Sequence, residues 1–414
     1  MKITIENPVT DDETLEFVIS GDREDGLEKS IVNSLRRVLL TEIPCVAFRV
    51  DEGKPMDMKM EVNNTSSHNE FLLHRISLIP LYIDPLTYNK DYLFQLQVKL
   101  DSREPFLFVT SDMFTIYPLK EDIDVDVNLN DLDINNYDLL KKLSDKEKKE
   151  IIRPYVFKGK EYYNLITELK NTYSEDTNFQ EISVYGSPSV SNGKEHSRWK
   201  GVSDAVYTFT KDDEQFASIA KEKADLKNIT DEAERDTFIR SLALSESERY
   251  FHRDVDGESY KYDFKLTSLH LLSPKDLFIL SNNIMKAKLA SLKNNLILMI
   301  KGSESSVSVS AHGRAPSTYD IIVPGEDDTL GNVIQSHVVK NFIDDTSLLH
   351  TFGYVRSHPL EDHIILTMSI NPNHKLYDSK DDVKLSGSVK VLEDAINEIS
   401  SIYDEIISVS EKLL

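Results

Sequence analysis

Three groups of side chains in this 414-residue chain have types and spacings that invite a chemical reading. His68, Glu70 and His74 form the pattern H-x-E-x-x-x-H, close to a zinc-protease motif. Two histidines of one helix share a metal when they stand at i and i+4. Six residues apart, at about 100° per residue, they point about 120° apart and do not converge. Between Glu121 and Asn136, residues Asp122, Asp124, Asp126, Asn128 and Asn130 alternate with apolar neighbours in the manner of a calcium loop. The sixth position from Asp122 is Val127 rather than Gly, and the twelfth is Asp133 rather than Glu. The loop pattern therefore fails, and an exposed edge strand or acidic loop is expected. The third group is Arg36, Arg37 and Arg75, whose guanidinium forks suit phosphate, carboxylate or backbone carbonyl.

Charge decides among those ligands. The chain has 48 Lys and Arg against 71 Asp and Glu, a formal net charge of −23. Non-specific nucleic-acid binding needs a basic footprint, so the arginines are expected to meet carboxylates or carbonyls of a partner protein. Cys45 is the single cysteine, which excludes an internal disulfide framework and any Cys-based zinc or iron–sulfur site. There is no Gly-rich phosphate loop and no G-x-S-x-G. No catalytic residue, metal site or cofactor is expected. The N-terminal MKITIENPVT lacks an apolar signal core, and no run approaches the ~18 apolar residues of a membrane span. A soluble, intracellular protein without membrane contact is expected.

The elements that position these residues follow from periodicity. Leu27, Ile31, Leu35, Val38 and Leu39 recur at helical spacing and share an arc with Val32, while Lys29, Asn33, Arg36 and Arg37 fall opposite. Glu28 inside the apolar arc and Leu40 among the polar residues break the pattern. Asp25 and Glu28 read as a capping box. Pro44 disfavours helical geometry at Ile43, so the helix should end by Glu42, and Val46–Val50 leaves as a strand. Before it, Ile3 and Ile5, then Leu15, Phe17 and Ile19, read as a hairpin. Short strands are expected at Tyr92–Leu100, Pro105–Val109 and Asp204–Thr210, a solvated helix at Lys141–Arg153, and charged helix-prone sequence over Lys211–Asp256. Tyr260, Tyr262, Phe264 and Leu266 alternate as a half-buried strand. Ser273 and Pro274 then start a long helix with Phe278, Met285, Leu289, Leu292, Leu296 and Met299 along one seam. Gly302–Pro316 is Ser-rich and reads as a linker. Asp328 or Thr329 caps a helix with Leu330, Val333, Ile334 and Val338. A strand with Ile364, Leu366, Met368 and Ile370 follows, then a helix with Leu392, Ile396, Ile399, Tyr403, Ile406 and Leu413 on one seam.

With the middle removed, both ends share one plan: strand, acidic turn, amphipathic helix, strand, long helix. One sheet with two helices cannot cover its own apolar faces, whereas two such halves facing each other can. The Ser-rich segment would tether them at high effective concentration. The expected seam between them is Met285, Leu289, Leu292, Leu296, Leu330, Ile334, Leu392, Ile396, Ile399 and Tyr403.

SLRRVLLTEIPCVA and NTS…NEFLLHRISLIPL resemble the two signature blocks of the α-type assembly subunits of multisubunit RNA polymerases: bacterial α, archaeal D and the third eukaryotic subunit. DDTLGN and FGYVRSHPLEDHI resemble their small partner, archaeal L or the eleventh eukaryotic subunit. Glu181–Gly186 and the His196-x-x-Trp199 pair resemble the end of the family's inserted domain. The resemblance covers roughly 1–100, 180–210, 258–300 and 318–414. It implies an α+β fold in which two α-subunit-type dimerisation modules, each an antiparallel sheet plus long helices, are fused as an intramolecular pseudo-dimer around an inserted, mainly β domain. The first module would be 1–50 with 257–302, the insert 51–256, the linker 303–317 and the second module 318–414. Such fusions occur in large cytoplasmic DNA viruses, which implies host cytoplasm and virion as locations, or otherwise the nucleus. The implied role is a non-catalytic platform that nucleates association of the two large polymerase subunits. Asn33, Arg36, Arg37, Asn64, Glu70, His74 and Arg75 would form the face for the second-largest, catalytic subunit. A small zinc-bearing subunit would bind nearby, and DNA only indirectly. The Cys cluster of some relatives and the aspartate cluster of the polymerase active site are absent from the sequence. The competing readings are an unrelated scaffold, or a metal-dependent hydrolase with its site in the insert.

Overall fold

The computed structural model describes residues 2–11, 13–24, 26–51, 53–101, 104–119, 142–171, 179–269, 271–313 and 315–413. Asp25 and the acidic run Glu121–Asn136 lie outside them. The fold is α+β with antiparallel sheets. Two compact units divide the chain. Unit 1 is Met1–Glu42, Val202–Ser268 and Ser273–Leu414, and unit 2 is Ile43–Gly201 with Leu269–Leu272.

Unit 1 opens with the hairpin β1 (Thr4–Thr10) and β2 (Thr14–Ser20) and continues into α1 (Lys29–Thr41). Glu28 occupies the N-cap without making a side-chain cap. Its carboxylate accepts instead from the Ser30 hydroxyl at 3.2 Å, so the capping-box expectation fails. The helix ends against Glu42, as Pro44 requires.

Unit 2 contains β3 (Pro44–Ala47), β4 (Met58–Asn63), α2 (Asn69–Ser77), β5 (Tyr92–Lys99), β6 (Phe106–Thr110), β7 (Thr115–Pro118), α3 (Asp145–Ile151), β8 (Tyr155–Phe157), β9 (Lys160–Tyr162), β10 (Leu165–Lys170), β11 (Glu181–Gly186) and β12 (Ser189–Asn192). The first strand thus lies two residues before the expected 46–50. Its main sheet runs β4-β11-β5-β7, with the pairs β3-β12, β6-β10 and β8-β9 beside it. Leu72, Leu73 and Ile76 of α2 share one buried cluster with Phe94, Leu96, Ile182 and Val184 of the sheet. The charged helix α3 has a full capping box from Ser144 and Glu147, and its end buries Ile151 and Ile152.

The chain re-enters unit 1 with β13 (Val202–Phe209), the helices α4 (Asp213–Leu226) and α5 (Glu232–Glu246), β14 (Lys261–Ser268) and α6 (Pro274–Ile300). The insert was expected to run from 51 to 256, but 202–256 belongs to unit 1 because β13 pairs with β14 along its whole length. Tyr262, Phe264 and Leu266 face inward, and the rings of Phe17, Phe264 and Phe278 lie 5.0–5.5 Å apart. Ser273 caps α6 with Pro274 at its first position. Gly302, at φ +68°, ends it in a left-handed turn closed by Gly302 N–H to Met299 O and Ser303 N–H to Leu298 O.

The last part of unit 1 is β15 (Ser308–Ala311), β16 (Thr318–Pro324), α7 (Asp328–Asn341), β17 (Leu349–Val355), β18 (His363–Ile370) and α8 (Asp381–Leu413). The presumed linker is therefore not a free spacer. Val307 is buried, Ser305 bonds back to Asn295 O at 2.8 Å, and Ser308–Ala311 pairs with β16. A paired strand satisfies its backbone whatever its side chains, which is why a Ser-rich composition concealed it. Asp327, not Asp328 or Thr329, caps α7 by accepting from Thr329 N–H at 2.8 Å.

The two sheets of unit 1 have matching orders, β1-β2-β14-β13 and β15-β16-β18-β17. Each half reads strand, strand, helix, strand, strand, long helix, if the segment between α1 and β13 and the α4–α5 pair are set aside. Equivalent elements therefore correspond one to one, α1 with α7 and α6 with α8.

Candidate functional site

The four core helices of unit 1 meet around charged side chains that neither half holds alone. Glu28 at the N-cap of α1 faces His337 of α7, whose Nδ1 donates to Glu28 Oε1 at 2.8 Å. The ring's Nε2 donates to Glu398 Oε2 of α8 at 3.1 Å. His337 is 4% exposed and Glu28 8%. Burial pushes the His337 pKa down, but the hydrogen bond and charge of Glu28, followed by those of Glu398, outweigh it and leave it raised. At the equivalent place in the other half, Asp327 at the N-cap of α7 faces Arg37 of α1. Arg37 Nε donates to Thr329 Oγ1 at 2.9 Å, and its terminal nitrogen lies 4.0 Å from Asp327. Each helix thus offers an acid at its N-cap and a base further along, and the two pair reciprocally. This is the self-complementary pattern of a twofold interface.

Lys288 of α6 closes the arrangement, with Nζ 2.9 Å from Glu42 and 3.0 Å from Glu326. Burial lowers its pKa, but the charge of Glu326 and the hydrogen bond it donates to Glu42 raise it overall. The long helices run alongside each other through Lys286–Asp404 and Lys293–Asn397. Ser34 of α1 and Tyr403 of α8 share a buried hydrogen bond of 2.7 Å, and burial drives the Tyr403 phenol pKa up. All ten seam residues named from the sequence, from Met285 to Tyr403, are at most 3% exposed. Leu413, placed on the same stripe, is exposed, two residues beyond Glu411, whose carbonyl accepts from Lys275 near the start of α6.

Sequence reading missed the buried charges. Their signal was present: Glu28 interrupts the apolar arc of α1, and His337 sits beside Val333, Ile334 and Val338 in that of α7. A charged residue in each of two apolar arcs is a pair awaiting contact.

The expected partner residues fall into two groups. Asn33, Arg36 and Arg37 are half-buried on α1. Arg36 Nε donates to Asn33 Oδ1 at 3.0 Å, within the helix's own surface. Arg37, expected to meet a partner protein, also bonds to α7 within the chain. In unit 2, Asn64 is a clip: its Oδ1 accepts from Glu181 N–H and its Nδ2 donates to Phe179 O at 3.1 Å. Glu70 and His74 stand exposed on α2, with the His74 and His196 rings 6.3 Å apart. Arg75 donates to Leu165 O at 2.7 Å and lies over the Phe71 ring. His68 precedes α2 as its N-cap.

Trp199 is fully buried with its indole N–H on Ser189 O at 3.2 Å. Arg49 beside it makes a two-pronged bond of 2.9 Å to Glu195. Arg49 and then Ser191 hold the Glu195 pKa far below the carboxylate range. The Cys45 thiol is buried and its pKa pushed up to about 12, which makes it inert. Among the described residues no group of three or more His, Cys, Asp or Glu is arranged to hold a metal ion.

No protein-family model matches the chain. Over 88 residues it is 34% identical to DNA-directed RNA polymerases I and III subunit rpac1 of Dictyostelium discoideum, covering 18% of this chain and 23% of that protein. Over 58 residues it is 43% identical to DNA-directed RNA polymerase subunit Rpo3 of Pyrobaculum calidifontis, covering 14% and 19%. Part of this chain is homologous to α-like RNA polymerase subunits. The mouse I and III subunit RPAC1 gives 37% over 76 residues, or 18% of each chain. The matches span about a fifth of each relative's length.

Proposed function

We propose that this chain is a non-catalytic assembly platform of a DNA-directed RNA polymerase, built as two fused α-type modules that form a pseudo-dimer within unit 1. The observation that carries the reading is the repeated module: two sheets of equal strand order, joined by reciprocal acid–base pairs between α1 and α7. The homologous segments in polymerase subunits support the assignment to that enzyme. In this reading α1, with Asn33 and Arg36, and the 64–81 block, with Glu70 and His74 exposed, bind the second-largest subunit. The largest subunit and a small zinc-bearing subunit join the same platform, and DNA is met only through them. The chain works wherever that polymerase works, in a virus factory and virion if the fusion is viral. Fusion fixes the pairing of the modules at one-to-one and removes a concentration-dependent step.

The test is affinity purification of the tagged full chain from its native cell or from virions, with identification of the co-purifying chains. Recovery of both large polymerase subunits in stoichiometric amount is the expected result. Their absence from a preparation in which the bait is folded would overturn the assignment.

A further inference from the structure

We infer that the helix interface of unit 1 is coded for unlike halves, so that each half accepts the other and rejects a second copy of itself. The correspondence of the helices fixes which positions must be compared. With the N-cap Glu28 set on the N-cap Asp327, the seven buried residues of α1, from Ser30 to Leu39, fall one for one on the seven of α7, from Thr329 to Val338. With Ser281 set on Ser388, the buried Met285, Leu289, Leu292 and Leu296 of α6 fall on the buried Leu392, Ile396, Ile399 and Tyr403 of α8. The charged pairs at the N-caps do not discriminate, because each half supplies both an acid and a base. Two other places do.

The first lies between α1 and α8. The Ser34 hydroxyl donates to Ile31 O at 2.6 Å, so in its 2.7 Å bond with Tyr403 the phenol is the donor. The equivalent positions of the other two helices carry Val333 and Leu296, both fully buried. A small residue thus stands with a large one on one side, and two of middling size on the other. Pairing two second halves would set Val333 against Tyr403 twice, crowding the core and leaving each phenol without an acceptor. Pairing two first halves would set Ser34 against Leu296 twice and leave voids. The second place lies between α6 and the residue before the α7 cap. Lys288 meets Glu326 there at 3.0 Å, whereas the equivalent positions carry Ala395 and Leu27, 0% and 1% exposed. Two second halves would set both Glu326 carboxylates against Ala395, where no lysine stands. The inference rests on the two-module part of the proposed function and not on the polymerase assignment.

The experiment uses the full chain with a protease site at Gly313, made in two forms that differ only in a C-terminal affinity tag. Tagged and untagged chains are cut, mixed in equal amounts, unfolded in urea, refolded together and captured by the tag. The tagged 314–414 fragment should retrieve 1–313 and about 25-fold less untagged 314–414, because a like pair leaves two phenols unpartnered at ~5-fold each. Glu326→Leu with Tyr403→Leu gives the second half the residues of the first at both places, and its tagged fragment should then retrieve about tenfold more of its untagged like. In the uncut chain, Ser34→Val and Tyr403→Leu should each lower the melting temperature. The two together copy Val333 and Leu296 and should recover most of the loss. Capture of untagged 314–414 from wild type in the proportion of random mixing would overturn the inference. So would unchanged capture by the folded double variant, or additive losses for Ser34→Val and Tyr403→Leu. Wild-type fragments that do not associate at all would overturn the two-module reading, and the inference with it.

Discussion

His337 gains two carboxylate partners on folding, so its folded pKa stands above the unfolded value of about 6.5. A raised histidine contributes stability that is complete below the unfolded pKa and is lost as pH rises through the folded one. The gap in melting temperature between wild type and His337→Gln should therefore shrink as the buffer is taken from about pH 6 to about pH 8. Parallel melting curves across that range would show that the ring does not titrate in place. The two arginines of α1 separate in the same way. Arg37→Ala removes a hydrogen bond between the halves and should cost about 0.5–1.5 kcal/mol in chemical denaturation. Arg36→Ala breaks a hydrogen bond within its own helix and a weak charge contact with Tyr207, and should stay within ~0.5 kcal/mol. Equal losses would show that the Arg37 bond to α7 adds nothing. At this scale the sequence was only partly legible. Spacing put both arginines on one polar arc, but an arc says nothing about which neighbour arrives beside it, and α7 lies almost three hundred residues away. Glu28 stood out as an anomaly whose partner no local pattern could supply.

The helices and inward-facing strands were legible because burial selects one period. Leu292→Ala and Ile396→Ala, each in a fully packed seam, should each cost about 2–5 kcal/mol by urea denaturation. Leu413→Ala, at the exposed end of α8, should change stability by less than ~0.5 kcal/mol. A seam variant as mild as Leu413→Ala would mean the long helices do not depend on each other. Elements held chiefly by backbone pairing were harder to read. The Ser-rich strand β15 has one buried neighbour, Val307, and draws its order from β16. β13 alternates only weakly and is secured by β14, which follows it after two helices.

Across the molecule, what holds unit 1 together is the contact between halves rather than the covalent link. A protease site placed at exposed Gly313 and cleaved in the folded protein should leave both fragments eluting together at micromolar concentration. Separate elution would make the tether, not the four helices, the source of association. The boundaries of the insert were the least legible feature, because β13 rejoins the first sheet after a detour through another unit. That detour has a counterpart. Where the first half leaves after α1 and returns at β13, the second half passes from α7 to β17 through residues 342–348 alone. There the Asp344 carboxylate accepts from the backbone N–H groups of Thr346 and Ser347, and Asn371 secures the carbonyls of Asp345 and Ser347. The chain thus carries its own blueprint for a graft. Residues 43–201 replaced by a copy of 343–348 would give the first half the shortcut used by the second, and the product would be a nearly symmetric miniature of the parent.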